Sequence, residues 1–153
     1  MAVEIERKFL VIGEQWRSSE PGNSLFQGYL CIDPGCSVRI RLSGDRAFLT
    51  VKGNTRGISR LEFEYPVPPD DARQLLKLCK AAVIEKTRYK IEFRGHTWDI
   101  DEFHGLNKGL ILAEVELESE DAVVDLPPWV GKEVTGDKRY FNLYLAQHPY
   151  NCW

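Results

Sequence analysis

The sequence predicts a mainly β chain with some helix (α+β). Eight short strands would form an up-and-down antiparallel sheet or barrel, covered by a few amphipathic helices. Three observations carry this reading. Charged and apolar residues alternate with a period of two in strand after strand. Turn signals separate the strands, among them Asp33-Pro34-Gly35, Ser43-Gly44-Asp45 and Gly53 to Gly57. The period becomes helical in only two longer stretches, Asp70 to Ala82 and Asp137 to Gln147.

The first strand spans Ala2 to Val11. Glu4, Glu6 and Lys8 share one face, and Val3, Ile5 and Phe9 share the other. Gly13 to Gly22 reads as a loop with one helical turn around Gln15-Trp16-Arg17. Leu25 to Ile32 is the second strand. In the third, Ser37 to Leu42, Arg39 and Arg41 oppose Val38, Ile40 and Leu42. Arg46 to Lys52 follows, with Phe48, Thr50 and Lys52 on one side. In Ile58 to Pro66, Arg60, Glu62 and Glu64 alternate against Leu61, Phe63 and Tyr65.

Pro68 and Pro69 before Asp70 then start a helix, apolar at Ala72, Leu75, Leu76 and Cys79. Strands resume at Ile84, with Lys86 and Arg88 on one face, and turn at Gly95. Thr97 to Phe103 sets Asp99 and Asp101 opposite Trp98 and Ile100. After a loop at Gly105 to Gly109, Leu110 to Glu118 sets Glu114, Glu116 and Glu118 opposite Ala113, Val115 and Leu117. Ser119-Glu120-Asp121 starts a short helical piece that Pro127-Pro128 stops. The terminal helix is apolar at Tyr140, Phe141, Tyr144 and Leu145.

The chain's 153 residues suit a single domain, 1–153. Lysine and arginine number 20 against 23 aspartate and glutamate, which argues against a general nucleic-acid or membrane-surface role. Charged residues fill the place of an apolar signal segment, and no run of about 18 apolar residues exists to span a membrane. Cys31, Cys36, Cys79 and Cys152 form no CxxC pair and suit a reduced, cytoplasmic protein.

The charged faces can be placed in two ways. With the apolar faces inward, the charges lie in water. Exposed ion pairs contribute only about 0–1 kcal/mol each, so nothing would favour charges on so many strands over Ser, Thr or Gln. With the charges inward, they must be wet, paired or bound to a ligand. That arrangement predicts a water-filled tunnel, its apolar outer wall covered by the helices and by a second copy of the chain as a homodimer. Clustered carboxylates bind hard cations, and Arg and Lys bind phosphate oxygens. Together they suit a polyanion carried with its metal.

Glu4-x-Glu6-x-Lys8 resembles the signature of the CYTH superfamily, the triphosphate tunnel metalloenzymes. Further matches follow in the family's order: Ser37-Val38-Arg39-Ile40-Arg41-Leu42, Leu49-Thr50-Val51-Lys52, Arg60-x-Glu62-x-Glu64, Glu85-Lys86-Thr87-Arg88-Tyr89, Trp98-Asp99-Ile100-Asp101, Glu114-Val115-Glu116 and Val134-Thr135-Gly136-Asp137-Lys138-Arg139-Tyr140. The length resembles the compact bacterial branch.

The resemblance implies an eight-stranded antiparallel closed β-barrel with a charged lumen and a C-terminal lid helix. It implies divalent-metal-dependent hydrolysis of triphosphate compounds, inorganic tripolyphosphate first among them. Carried over, Glu4, Glu6, Asp101, Glu114 and Glu116 would hold Mg²⁺ or Mn²⁺. Lys8, Arg39, Arg41, Lys52, Arg60, Lys86 and Arg88 would grip phosphates, and Arg139 would reach in from the lid. Glu4, Glu6, Lys8, Lys52 and Tyr29 would carry the chemistry. A phenol is a poor base at neutral pH, so a metal-bound water is the preferred nucleophile over Tyr29. Other branches suggest an adenylate cyclase of class IV type, or a thiamine or nucleoside triphosphatase. A non-catalytic polyphosphate- or nucleotide-binding module is the remaining alternative.

Overall fold

The computed structural model describes residues 3–18, 20–33 and 35–153. Among the described residues there are nine strands and two short helices. They are β1 (Val3–Val11), β2 (Asn23–Asp33), β3 (Cys36–Ser43), β4 (Arg46–Gly53), β5 (Ser59–Val67), α1 (Pro69–Leu76), β6 (Ile84–Phe93), β7 (His96–Phe103), β8 (Ile111–Glu116), β9 (Val130–Glu133) and α2 (Asn142–Gln147). Ala2, which the sequence assigns to the first strand, and Pro34, which it assigns to the turn after the second, lie outside the described residues.

Every pairing is antiparallel, and the order is β5-β4-β3-β2-β6-β7-β8-β1-β9. A further pairing of β1 with β5 closes eight of these strands into a ring. β1 is the closing stave: Glu6 faces Glu116 and Lys8 faces Glu114 on β8, while Glu4 faces Arg60 on β5. The alternation explains the ring. On most strands the charged side chains turn inward and an apolar set turns outward, while β2 turns Gln27 and Tyr29 inward.

Two apolar patches cover the outer wall, and a third closes one end of the ring from inside. On the outside, Phe9, Trp98, Ile100 and Val115 pack under Trp16 from the β1–β2 loop and under Trp129. On the inward face, in register with Lys86, Asp101 and Glu114, Tyr29, Ile84, Phe103 and Leu112 pack under Leu145 and Ala146 of α2. In the second outer patch, Ile40 and Ala47 pack under Ala72 of α1. Gly28 lets α1 approach: a Cβ there would sit 2.4 Å from Cys79 Sγ. Leu61, Phe63 and Tyr65 on β5 stay 50%, 42% and 55% exposed. Among the described residues no helix is long and apolar enough to cross a membrane, and all four cysteines are free.

Three expectations are corrected. The first helix stops at Leu76 rather than Ala82. Its last turn tightens, and the Lys80 amide donates instead to the Tyr29 carbonyl of β2 at 2.9 Å. The stretch after Ser119 forms turns and then β9, with no helix. The terminal helix is broken in two. The Asp137 side chain caps a 3-10 turn over Lys138–Tyr140, Phe141 is extended (φ −73°, ψ 138°), and α2 begins only at Asn142.

Candidate active site

The ring encloses a cavity of about 490 Å³. Glu4, Glu6, Lys8, Tyr29, Arg39, Arg41, Lys52, Arg60, Lys86, Arg88, Glu114 and Glu116 all line it. The two signs segregate. Carboxylates gather on β1, β5 and β8, and the cations without close carboxylate partners lie across the ring on β3.

At the acidic pole Glu6 and Glu116 are direct cross-strand partners. Like charges in such pairs are destabilising unless something positive lies between them. Burial, and then Glu114 and Glu4, push the Glu6 carboxyl up to about 8. Burial, Glu4 and Asp99 raise Glu116 as well. Burial alone would raise Glu4, yet a hydrogen bond with Glu62 and the Lys52 ammonium hold it well below the usual range. Lys52 Nζ lies 2.8 Å from Glu4 and 3.0 Å from Glu62. Lys8 Nζ lies 3.4 Å from Glu114 and donates to the Tyr140 carbonyl at 3.1 Å. Burial opposes the Lys8 charge, but Glu114 and Glu6 outweigh it and raise the ammonium.

These carboxylates offer oxygen donors only, around a space where negative charge is crowded. That donor set fits a hard divalent cation. Among the described residues no three His, Cys, Asp or Glu side chains are already gathered as a metal-holding group. Glu4 and Glu114 are instead turned toward Lys52 and Lys8.

At the basic pole Arg39 is buried and donates to Thr50 Oγ1 at 3.1 Å, while its Nε is buried without a hydrogen-bond partner. A buried donor left open is costly and marks a place where an acceptor belongs. Burial, and then the charges of Arg39 and Arg88, bring Arg41 down to about 9.

Two expected site residues stand elsewhere. Asp101 does not line the cavity: it is 1% exposed, behind Lys86 and Arg88. Its carboxylate accepts from Arg88 Nε and Nη2 at 2.7 and 2.8 Å and lies 2.7 Å from Lys86 Nζ. Burial opposes its charge, but Arg88 and Lys86 hold it far below the carboxylate range. Both its oxygens are engaged by these two cations. Asp99 lines the cavity in its place, on the same face of β7. Arg139 does not reach in. It is exposed and paired with Asp137 at 2.8 Å, and Lys138 lines the cavity instead.

The sequence reading missed Gln27, Phe141 and Asn142 as site residues. Gln27 shares the inward face of β2 with Tyr29, a period-two signal that was available. Phe141 sits with Lys8 Nζ 5.4 Å and Arg60 Cζ 5.8 Å from its ring centre. Nothing local in the sequence marks it or Asn142 apart from the helix they were assigned to.

Residues 2–144 match the CYTH domain family. The chain belongs to this family. An inorganic triphosphatase of Acetivibrio thermocellus is 50% identical over 98% of this chain and 97% of its own. One of Nitrosomonas europaea is 38% identical over 94% and 96%. The crystal structure of the inorganic triphosphatase NE1496 superposes with a TM-score of 0.67 at 38% identity, covering 94% of this chain and 97% of that one. The PH1012 protein of Pyrococcus horikoshii, 17% identical with a TM-score of 0.56 over 77% of this chain, shares the fold. A CYTH assignment accounts for the charges that the ring turns inward.

Proposed function

We propose that this CYTH protein hydrolyses phosphoric anhydride bonds in triphosphate compounds, with inorganic tripolyphosphate as its substrate and Mg²⁺ or Mn²⁺ as its cofactor. The observation that carries this is the segregated cavity, with carboxylates on β1 and β8 facing unneutralised cations on β3. The names of the two close relatives support the same substrate.

Glu4, Glu6, Glu114 and Glu116 would hold the ion. When bound, it supplies charge neutralisation, polarisation of phosphoryl oxygens and activation of water. Arg39 and Arg41 grip the far phosphates, as bidentate donors matched to phosphate geometry. Lys86 and Arg88 add positive charge, with Asp101 fixing both behind the wall. Lys8 and Lys52, paired here with Glu114 and Glu4, stand between the poles and would stabilise charge on the transferred phosphoryl group. Tyr29 packs with Ile84, Phe103 and Leu145 at the cavity wall, which suits a wall residue better than a proton acceptor. The four free cysteines support a reducing, cytoplasmic setting. The bare row on β5 supports a second copy of the chain as its cover.

The test is phosphate release from tripolyphosphate, ATP and thiamine triphosphate in parallel, with Mg²⁺, with Mn²⁺ and with EDTA. Metal-dependent release from tripolyphosphate, lost in a Glu4→Gln, Glu116→Gln double variant, is the expected result. Full release by that variant overturns the proposal, and cyclic AMP from ATP would replace it with a cyclase.

A further inference from the structure

Gln27 is fully buried, and the triphosphate reading gives it no task. A buried primary amide needs partners for its oxygen and its nitrogen. Gln27 lies directly opposite Arg41. Its Oε1 accepts from Arg41 Nε at 3.0 Å, and its Nε2 donates to Asn142 Oδ1 at 2.9 Å. The same Asn142 oxygen accepts from Lys86 Nζ at 2.9 Å. Arg and Lys can only donate, so both amide oxygens are turned to the cations.

We propose that Gln27 and Asn142 are a positioning pair that aims the Arg41 guanidinium and the Lys86 ammonium at substrate phosphate without neutralising either. This rests on the reading of Arg41 and Lys86 as phosphate-binding cations.

Neutral amides suit the task. Arg41 stands among like charges and would swing away from them, or toward Asp101, if it were held only by its stem. A carboxylate at position 27 or 142 would hold both cations at least as firmly, because charge-assisted hydrogen bonds are about twice as strong as neutral ones. It would also cancel the positive potential that a polyanion needs. An amide gives direction and leaves the charge. The donors that remain are the useful ones. Lys86 has three N–H groups, of which Asp101 and Asn142 take two, and Lys86 lines the cavity with the third to spare. Arg41 gives Nε to Gln27 and keeps both terminal nitrogens. Asn142 opens α2, so the C-terminal segment completes the binding surface as well as closing one end of the ring.

Steady-state phosphate release from tripolyphosphate with Mg²⁺, and melting without substrate, test this on the full chain. Gln27→Met and Asn142→Leu should each raise KM at least tenfold, with kcat changing less. The double variant should match the worse single one, because both act through one chain of bonds. The decisive variant is Asn142→Asp, which keeps shape and every bond, while Gln27→Glu keeps the bond to Arg41 but sets an acceptor against Asn142 Oδ1. For Asn142→Asp the positioning role predicts an unchanged or higher melting temperature together with a KM raised at least tenfold, and for Gln27→Glu the same rise in KM. A purely structural role predicts wild-type KM in both, and that result overturns the inference. Arg41→Ala and Lys86→Ala separate the two layers. If they leave KM unchanged, the phosphate-binding reading fails and takes this one with it. If they raise KM while Gln27→Glu and Asn142→Asp do not, only the positioning role falls.

Discussion

Replacing Asp101 by Asn keeps the side chain's shape and removes its charge, leaving Lys86 and Arg88 buried with one less partner. Breaking a buried ion pair from one side costs about 3–5 kcal/mol. Two features pull the value to the lower end. Arg88 retains Asp99 at 3.6 Å and Glu114 at 3.9 Å. Lys86 can shed its proton, since burial and the neighbouring Arg88 and Arg41 already bring it down to about 7 despite Asp101. A loss of about 3 kcal/mol, at about 2–4 °C per kcal/mol for a chain of this size, lowers the melting temperature by roughly 6–12 °C. The sign of the pH dependence follows. A lysine whose folded value lies below its ordinary 10.5 binds fewer protons folded than unfolded, so stability rises with pH between those values. Without Asp101 the variant's Lys86 falls further, so the two proteins differ in bound protons only below about pH 7; the deficit should shrink as pH rises toward 7 and level off above it. The assay is thermal unfolding in EDTA on both sides of pH 7, beside the Mg²⁺ dependence of phosphate release. A melting temperature unchanged in EDTA, with a strongly raised Mg²⁺ requirement, would refute the argument and return Asp101 to the metal set.

Glu6→Gln should raise the melting temperature in EDTA by a few degrees, because it removes a carboxylate crowded by Glu114 and Glu4, and should cut metal-dependent turnover at least a hundredfold. An equal fall in both sinks the idea of a carboxylate kept for the cation. Gly28→Ala should cost about 1–3 kcal/mol by driving a Cβ into Cys79; denaturant unfolding reads this, and a paired Cys79→Gly change should recover part of it. Arg7→Ala should cost about 1 kcal/mol or less, since the Arg7–Glu133 pair that ties β1 to β9 is partly exposed. That loss should fade in 1 M salt, and a salt-independent loss would point to packing over Phe9 instead.

The alternation along each strand was enough to place the charges inside, because a period of two assigns faces without knowing the partner strand. It could not say what lies opposite what. Asp99 and Asp101 share a face, yet register sets Asp101 beside Arg88 and turns it into a wall residue while Asp99 opens on the cavity. The same limit hid Gln27, whose meaning comes from Arg41 across the sheet and Asn142 at the far end of the chain. β9 was invisible for another reason. It is four residues, Val-Gly-Lys-Glu, with no alternation, and its Gly131 lies where a Cβ would sit 3.2 Å from the Leu10 carbonyl. The break at Phe141 depends on Lys8, which takes the Tyr140 carbonyl at 3.1 Å.

The pairing of β1 with both β5 and β8 also has a consequence in time. β2 to β5 are joined by short turns and can zip as one meander, and β6 to β8 as another. β1 leaves the ribosome first, but its main partner begins more than a hundred residues later at Ile111. Distant pairings of this kind slow folding. The strand carrying Glu4 and Glu6 thus lacks its longer seam until almost the whole chain is made. Its own seam with β5 is three residue pairs long, Val3 to Ile5 against Ser59 to Leu61. A nascent or truncated chain can hold much of the sheet and still have no acidic pole, so chemistry switches on only when the ring does.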